Sequence, residues 1–247
     1  MNIESTLKRR GYDIAKAHSA IRALLDDPDD LPQVFTVIDA LSGDTIERIA
    51  KRVGESSDGA KLLDETPNIV DTLRDREALR AMPEGSLGRA YLRFLESEGI
   101  SADGIIEASD KTEAHHAHAG ESRQQTWVRE RMRDTHDLWH AVTGYKGDVA
   151  GEIALLAFSF AQVRNPAIAL IIAAAMSKGL TRTHGRLILD GFVRGAKARY
   201  FPEQRWETML AKPVSEVRAM LGVGDPPVYE PLRSAQLRAE GVLPAKA

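Results

Sequence analysis

The sequence predicts an all-α protein, a single-domain helical bundle over residues 1–247. Apolar residues recur at steps of three and four along most of the chain, which is the spacing of an α-helix with one buried face. No stretch keeps the alternation of polar and apolar residues that predicts a sheet. We expect a core over about residues 14–225, which 247 residues suffice to build, and a frayed tail at residues 235–247.

Four helices are predicted before residue 100. Their apolar stripes lie at residues 14–25, 34–41, 45–53 and 87–95. Asp30 can cap the second helix, and Pro32 fits its first turn because a backbone N–H is not needed there. Gly43, Gly54 and Gly99 follow the second, third and fourth stripes, and helices commonly end at glycine.

One segment has no apolar stripe. Residues 109–122 are small and polar, so they predict an exposed loop. Its histidines, His115, His116 and His118, form a candidate metal cluster. The loop interpretation is favoured because no carboxylate stands at a defined spacing from them and nothing fixes their geometry.

A helical hairpin is predicted at residues 127–152. The apolar stripe of its first helix consists of Trp127, Val128, Met132 and Leu138. Gly144 and Gly147 provide a turn, after which Asp148 can cap a second, antiparallel helix. This arrangement brings the start of the second helix back beside the end of the first.

Four residues of the hairpin carry metal-binding side chains. They are His136, Asp137, His140 and Glu152. Histidines four residues apart lie one turn apart on a helix, so both imidazoles can reach one ion, and the aspartate falls on the same arc of roughly 100°. Two nitrogens and two carboxylates suit zinc, ferrous iron, cobalt or manganese. The residues alone leave open a simpler interpretation, two surface histidines paired locally with Asp137.

The composition excludes several other classes of function. The chain has no cysteine, so disulfides, thiolate catalysis and iron–sulfur clusters are excluded. Its 33 basic and 36 acidic residues give a net charge of −3, which offers no overall attraction to nucleic acid. The N-terminus has no apolar segment of the kind a secretory signal needs. We expect a cytoplasmic protein, with peripheral contact to the inner membrane of a bacterium left open.

Two apolar helices follow the candidate site. Residues 153–161 are apolar on nearly all sides, and residues 167–176 form the longest apolar run. Such helices are buried or face lipid, so core packing and a groove for an apolar chain beside Glu152 both stay open. Arg194, Lys197 and Arg199 form either a solvated basic face or a site for an anionic head group.

At these residues the sequence resembles a known family, coenzyme Q (ubiquinone) biosynthesis protein 4. The family signature is His-Asp-x-x-His, eleven residues, and Glu, and residues 136–152 match it without substitution. Blocks at residues 28–43, 83–91 and 195–222 also resemble the family. The His-rich loop is more polar than the family leads us to expect.

The resemblance implies a function and a set of partners. The expected reaction is the oxidative decarboxylation of a polyprenylated aromatic ubiquinone precursor, in which a hydroxyl replaces the C1 carboxyl. The expected partners are a second copy in a homodimer, other ubiquinone-biosynthesis enzymes and a membrane surface, but no nucleic acid. An apolar tunnel for the isoprenoid tail is also implied.

The resemblance also implies the roles of the site residues. One divalent metal ion, usually described as zinc, is expected at His136, Asp137, His140 and Glu152, with iron, cobalt or manganese as alternatives. His136, His140 and Glu152 are the expected catalytic residues. Whether the ion is redox-active, and whether Glu152 binds it or transfers protons, stays open.

Two other functions remain as alternatives. A non-catalytic scaffold would bind prenyl lipid and organise the pathway enzymes, with the metal only joining two helices. An HD-type phosphohydrolase is suggested by the adjacent His136 and Asp137, but that class needs further ligands that the sequence does not place.

Overall fold

The computed structural model describes residues 11–112, 120–179 and 183–245, and within these residues every extended regular element is a helix. This confirms the all-α prediction. The α-helices are α1 (Ile14–Asp26), α2 (Leu31–Leu41), α3 (Thr45–Val53), α4 (Ser57–Glu65), α5 (Val70–Arg74), α6 (Arg76–Ala81), α7 (Leu87–Glu98), α8 (Ala102–Asp110), α9 (Arg123–Asp134), α10 (His136–Thr143), α11 (Val149–Val163), α12 (Pro166–Ser177), α13 (Gly185–Lys197), α14 (Val214–Leu221) and α15 (Ser234–Ala239). Two short 3₁₀ helices lie at Phe201–Glu203 and Trp206–Thr208.

The α10–α11 hairpin lies at the centre of the main core. Trp139 of α10 and Phe158 of α11 meet edge to face, with ring centroids 6.4 Å apart. Both also contact Phe201, at 5.0 Å and 4.9 Å between centroids. All three side chains are buried. Because large aromatic side chains bury so much apolar surface, this cluster fixes the two helices of the hairpin against each other.

Helix α13 packs against α11 more closely than side chains would allow. At Gly191 a Cβ atom would lie 2.5 Å from the carbonyl oxygen of Ala154, and at Gly195 it would lie 2.3 Å from that of Phe158. Only glycine fits where one helix backbone touches another. The two glycines therefore set the position of α13 on the helix that carries Glu152.

The helix predicted to end at Gly144 is divided into α9 and α10. The break is at Thr135, whose backbone has left helical geometry at φ −93° and ψ 1°. The Thr135 hydroxyl donates to the carbonyl of Arg131 at 2.7 Å, a local bond that competes with the helical pattern. His136 therefore begins a new helix.

The prediction of a frayed C-terminal tail is wrong for the residues that the structure describes there. Residues 234–239 form α15, and Leu237 and Leu243 are buried in the main core. These leucines hold the segment against the rest of the protein. Residues 246–247 lie outside the described residues, as do residues 1–10 and the three histidines of the polar loop. Within the described part of the chain, no helix is both long and apolar enough to cross a membrane.

Candidate metal centre

The hairpin turn determines where the candidate ligands lie. Helix α10 ends at Gly144, whose φ of +80° favours glycine, and Pro226 packs against it too closely to admit a Cβ atom. Helix α11 begins after Asp148, whose carboxylate accepts hydrogen bonds from the N–H groups of Ala150 and Gly151 at 3.1 Å and 3.3 Å. Glu152 consequently lies in the first turn of α11, facing α10.

Three of the four predicted ligands come together. Oε1 of Glu152 lies 3.2 Å from Nε2 of His140, and Oε2 lies 3.5 Å from Nε2 of His136. The three ligand atoms all lie within 4.8 Å of one another. Two imidazole nitrogens and one carboxylate at this spacing can hold a single divalent ion.

The His140 ring is held in the orientation that a ligand needs. Its Nδ1–H donates to the carbonyl of Tyr145 at 3.0 Å, so Nε2 keeps its lone pair. The ring stacks on Phe94, with centroids 4.7 Å apart. Nε2 is buried and makes no hydrogen bond to a described residue, because its contact with Glu152 is close but poorly aligned. A metal-binding histidine typically has its second nitrogen fixed in this way.

The pKa values of Glu152 and His140 depend on each other. Burial raises the pKa of Glu152, but the charge of His140 and the close contacts with both histidines outweigh burial, so that pKa is lowered overall. Burial lowers the pKa of His140, but the charge of Glu152 outweighs it, so that pKa is raised. The two shifts show that the carboxylate of Glu152 and the imidazole of His140 stabilise each other's charged forms.

Asp137 lies beside this group without joining it. Its carboxylate is not among the atoms that lie within 4.8 Å of one another. The side chain is buried, and burial raises its pKa against the opposing charges of His136 and His140. Its role as a fourth ligand stays a prediction.

Two apolar cavities meet at the candidate site. The first has a volume of about 550 Å³ and is lined by His136, Asp137 and Glu152 together with apolar side chains. The second, of about 570 Å³, extends past Trp139. Five lining residues belong to both cavities: Leu31, Val34, Ile105, His136 and Leu156. A groove beside Glu152, one of the two arrangements that the apolar helices left open, is thus present, and His136 lies where the two cavities meet.

Several supporting residues could not be found from the sequence. Arg218 donates to the carbonyls of Val142 and Ala141 at 2.8 Å and 3.1 Å, and Arg194 donates to that of Thr143 at 2.8 Å. These carbonyls at the end of α10 have no partner within the helix. The sequence offers Arg194 as one possible contact for an anionic head group, but its guanidinium donates hydrogen bonds to backbone carbonyls. No spacing rule predicts such partners, because they come from distant helices.

Comparison with known proteins finds one family model and relatives whose names refer to the same family. The family model described as "Coenzyme Q (ubiquinone) biosynthesis protein Coq4" matches residues 12–227. The mitochondrial ubiquinone biosynthesis protein coq4 of Talaromyces stipitatus is 31% identical over 200 residues, which cover 79% of this chain and 66% of that protein. The protein of the same name from Aspergillus flavus is 34% identical over 180 residues, which cover 71% of this chain and 59% of that protein. The chain thus spans 59% to 66% of the length of these relatives.

A solved structure shares the fold. It comes from Nostoc punctiforme PCC 73102 and is assigned to ubiquinone biosynthesis. It superposes with a TM-score of 0.62, covering 87% of this chain and 100% of that one, at 22% sequence identity. At that identity the likeness concerns the fold alone.

Proposed function

The chain belongs to the family of coenzyme Q (ubiquinone) biosynthesis protein Coq4, and we propose that it acts in ubiquinone biosynthesis as a metal-dependent oxidative decarboxylase. The proposed substrate is a polyprenylated ring derived from 4-hydroxybenzoate. Its C1 carboxyl leaves as CO₂ and a hydroxyl takes its place, a two-electron oxidation for which O₂ is the acceptor. The observation that carries this proposal is the group of His136, His140 and Glu152 at the junction of two apolar cavities.

The residues of the group fit a divalent metal ion. His136, His140 and Glu152 would hold it, because the buried Nε2 of His140 has a free lone pair and no other described partner. When bound, such an ion supplies Lewis-acid stabilisation of the charge that develops as CO₂ leaves. We propose zinc, and iron, cobalt or manganese match the same donors.

The protein's own contribution is to orient the ring and exclude water. His136 faces both cavities, so a ring beside it can have its tail in the second cavity. The apolar lining there, including Phe35, Ile38 and Ile49, matches an isoprenoid chain. Glu152 keeps 42% of its side chain exposed, so an ion that it helps to hold would be accessible from the cavity.

Metal content and CO₂ release test the proposal together. Purified wild-type protein is expected to contain about one divalent ion by elemental analysis, and His140→Ala should contain almost none. The matched control is His18→Ala, since His18 is exposed on α1. A prenylated 4-hydroxybenzoate supplied with O₂ should release CO₂ with the wild type only. Wild-type protein that neither retains nor takes up zinc, iron, cobalt or manganese would refute the metal-dependent reaction.

A second candidate is a prenyl-lipid scaffold in which the metal only joins two helices. It is favoured by the fact that the three residues bridge α10 and α11. In this case Glu152→Ala should lower the thermal midpoint of the metal-loaded protein and leave pathway flux intact at permissive temperature. Lost flux in a fully folded Glu152→Ala protein would instead support the enzyme.

We further propose contacts with a second copy, with other ubiquinone-biosynthesis enzymes and with a membrane surface. Membrane contact is supported by α13, where Leu189 and Val193 are 62% and 38% exposed. Arg186 and Lys197 flank these side chains on the same face of the helix. An apolar strip between basic residues suits the interface of an anionic bilayer.

A further inference from the structure

The last described residues, 228–245, cross the start of α11, and we refer to them as the C-terminal strap. They follow residues 12–227, the part of the chain that the family model matches. Leu232 and Leu237 are buried in the main core, so the strap is part of the folded protein. None of the three candidate ligands belongs to it.

The strap is joined to the first turn of α11 through Asp148. The N–H of Leu232 donates to Oδ1 of Asp148 at 2.8 Å, and the N–H of Val149 donates to the carbonyl of Leu232 at 2.9 Å. The hydroxyl of Tyr229 donates to Oδ2 of Asp148 at 2.9 Å. Since Oδ1 also caps α11, one buried carboxylate holds both the strap and the start of the helix.

Tyr229 reaches the backbone next to Glu152. Its hydroxyl accepts a hydrogen bond from the N–H of Lys146, in the turn between α10 and α11, at 2.8 Å. It also lies so close to Gly151 that a Cβ atom there would be 2.4 Å from the phenolic oxygen. The phenol therefore fixes the chain immediately before the candidate ligand.

The strap also contacts the helix on the other side of the site. Arg233 pairs with Glu98 at 2.6 Å, and Glu98 accepts a hydrogen bond from the N–H of Gly147 at 3.1 Å. Glu98 is the last residue of α7, the helix whose Phe94 stacks on His140. The strap thus ties α7 and α11 to the same turn.

We propose that Tyr229 is a positioning residue of the metal centre, which holds the first turn of α11 so that Glu152 stays within reach of His136 and His140. The inference rests on the proposed function in that the bound group is a divalent metal ion. Second-layer partners that orient a ligand commonly change metal affinity by about 10–100-fold when removed. Because Tyr229 acts through Asp148 and the backbone, the effect belongs at the lower end of that range.

The test compares two variants, each of which loses one tyrosine hydroxyl at a different position. Tyr229→Phe removes the hydroxyl from the strap and keeps the ring. Tyr200→Phe is the matched control, because Tyr200 is buried next to Phe201, whose N–H bonds to Gln162 near the far end of α11. In a competition titration against a chromogenic chelator, Tyr229→Phe should bind Zn²⁺ about tenfold more weakly than the wild type does. Tyr200→Phe should bind Zn²⁺ with the wild-type affinity. The visible absorption spectrum of bound Co²⁺ should change only in Tyr229→Phe.

Hydrogen–deuterium exchange of the metal-free proteins gives a second readout. Backbone amides of residues 150–153 should exchange faster in Tyr229→Phe than in the wild type, and at the wild-type rate in Tyr200→Phe. If the wild type binds no ion, the proposed metal centre fails, and exchange alone then decides whether Tyr229 holds this turn. Unchanged exchange in Tyr229→Phe, or equal loss of Zn²⁺ affinity in both variants, would overturn the inference.

Discussion

His140 and Asp137 are separated by less than one helical turn, but their surroundings differ. His140 has one ring nitrogen bonded to a carbonyl and the other directed at Glu152. Asp137 is buried at the cavity wall, outside the group of three ligand atoms. Burial raises the pKa of its carboxyl, which means that the site disfavours its negative charge.

Asp137→Asn tests whether the aspartate is a fourth ligand, and the group formed by the other three residues predicts that this variant retains the metal ion. The amide matches the carboxylate in shape and removes a buried charge, so Zn²⁺ affinity should fall by less than about tenfold, below the range for oriented ligand partners. His136→Ala, which removes one of the three assembled donors, should lower affinity by far more. Isothermal titration with Zn²⁺ measures both. Equal losses in the two variants would place Asp137 among the ligands after all.

The sequence could predict the candidate ligand residues but not the neighbouring side chains and carbonyls that hold them in place. The four-residue spacing of the histidines and the glycine turn before Glu152 predict the hairpin, because both depend on local backbone geometry. The stacking of Phe94 and the carbonyl of Tyr145 hold His140 through the tertiary fold. Asp137 lies on the predicted arc, but its carboxylate is outside the group of three ligand atoms, a distance that the arc alone does not predict.

At the scale of elements, the two faces of α13 have different surroundings. Its glycines pack against α11, while Leu189 and Val193 face outward. Residues 164–199 contain seven basic residues and one acidic residue, in a chain whose net charge is −3. The acidic residue, Asp190, lies 3.8 Å from Arg186. Such a basic segment attracts anionic lipid, and the outward apolar side chains can enter the interface.

We predict that replacing Leu189 and Val193 by serine weakens binding to anionic vesicles. Full burial of one apolar side chain contributes about 1.5–3 kcal/mol. Even partial insertion of the two side chains should therefore make the double variant bind the vesicles about tenfold more weakly than the wild type does. Co-sedimentation with vesicles of phosphatidylglycerol and phosphatidylcholine measures the change, and neutral vesicles should bind weakly throughout. Val228→Ser is the matched control, because Val228 is fully exposed on another segment. Equal binding by the double variant and the wild type would exclude this face.

Helix boundaries were predictable where local signals act alone. The helix Thr45–Val53 has the predicted bounds because its stripe and the following glycine agree. The break at Thr135 was not predicted, since the apolar stripe continues through it and a hydroxyl-to-carbonyl bond decides the outcome. The C-terminal strap was also missed. Its order depends on Asp148 and on buried leucines, which are contacts across the whole chain.

At the scale of the whole molecule, burial affects most of the tyrosines. Four of the five, Tyr91, Tyr145, Tyr200 and Tyr229, have their pKa raised, and burial is the largest cause in each. The pKa of Tyr200 is raised to about 12. Tyr91 lies in α7, Tyr145 in the turn between α10 and α11, Tyr200 directly before the first 3₁₀ helix, and Tyr229 in the strap. Their ionisation therefore reports on the packing of the molecule as a whole.

We predict that the protein loses stability from about pH 10 upward, where tyrosine ionises in an unfolded chain. A raised folded-state pKa stabilises the fold fully below about pH 10, and this contribution is lost as the pH rises through the folded value. For Tyr200 alone the loss reaches about 2 kcal/mol by pH 12. Urea unfolding followed by circular dichroism should show this decline, and tyrosinate absorbance should rise with the loss of helical signal. Tyr200→Phe should flatten the decline. Complete ionisation of the tyrosines in a protein that remains helical would contradict the prediction.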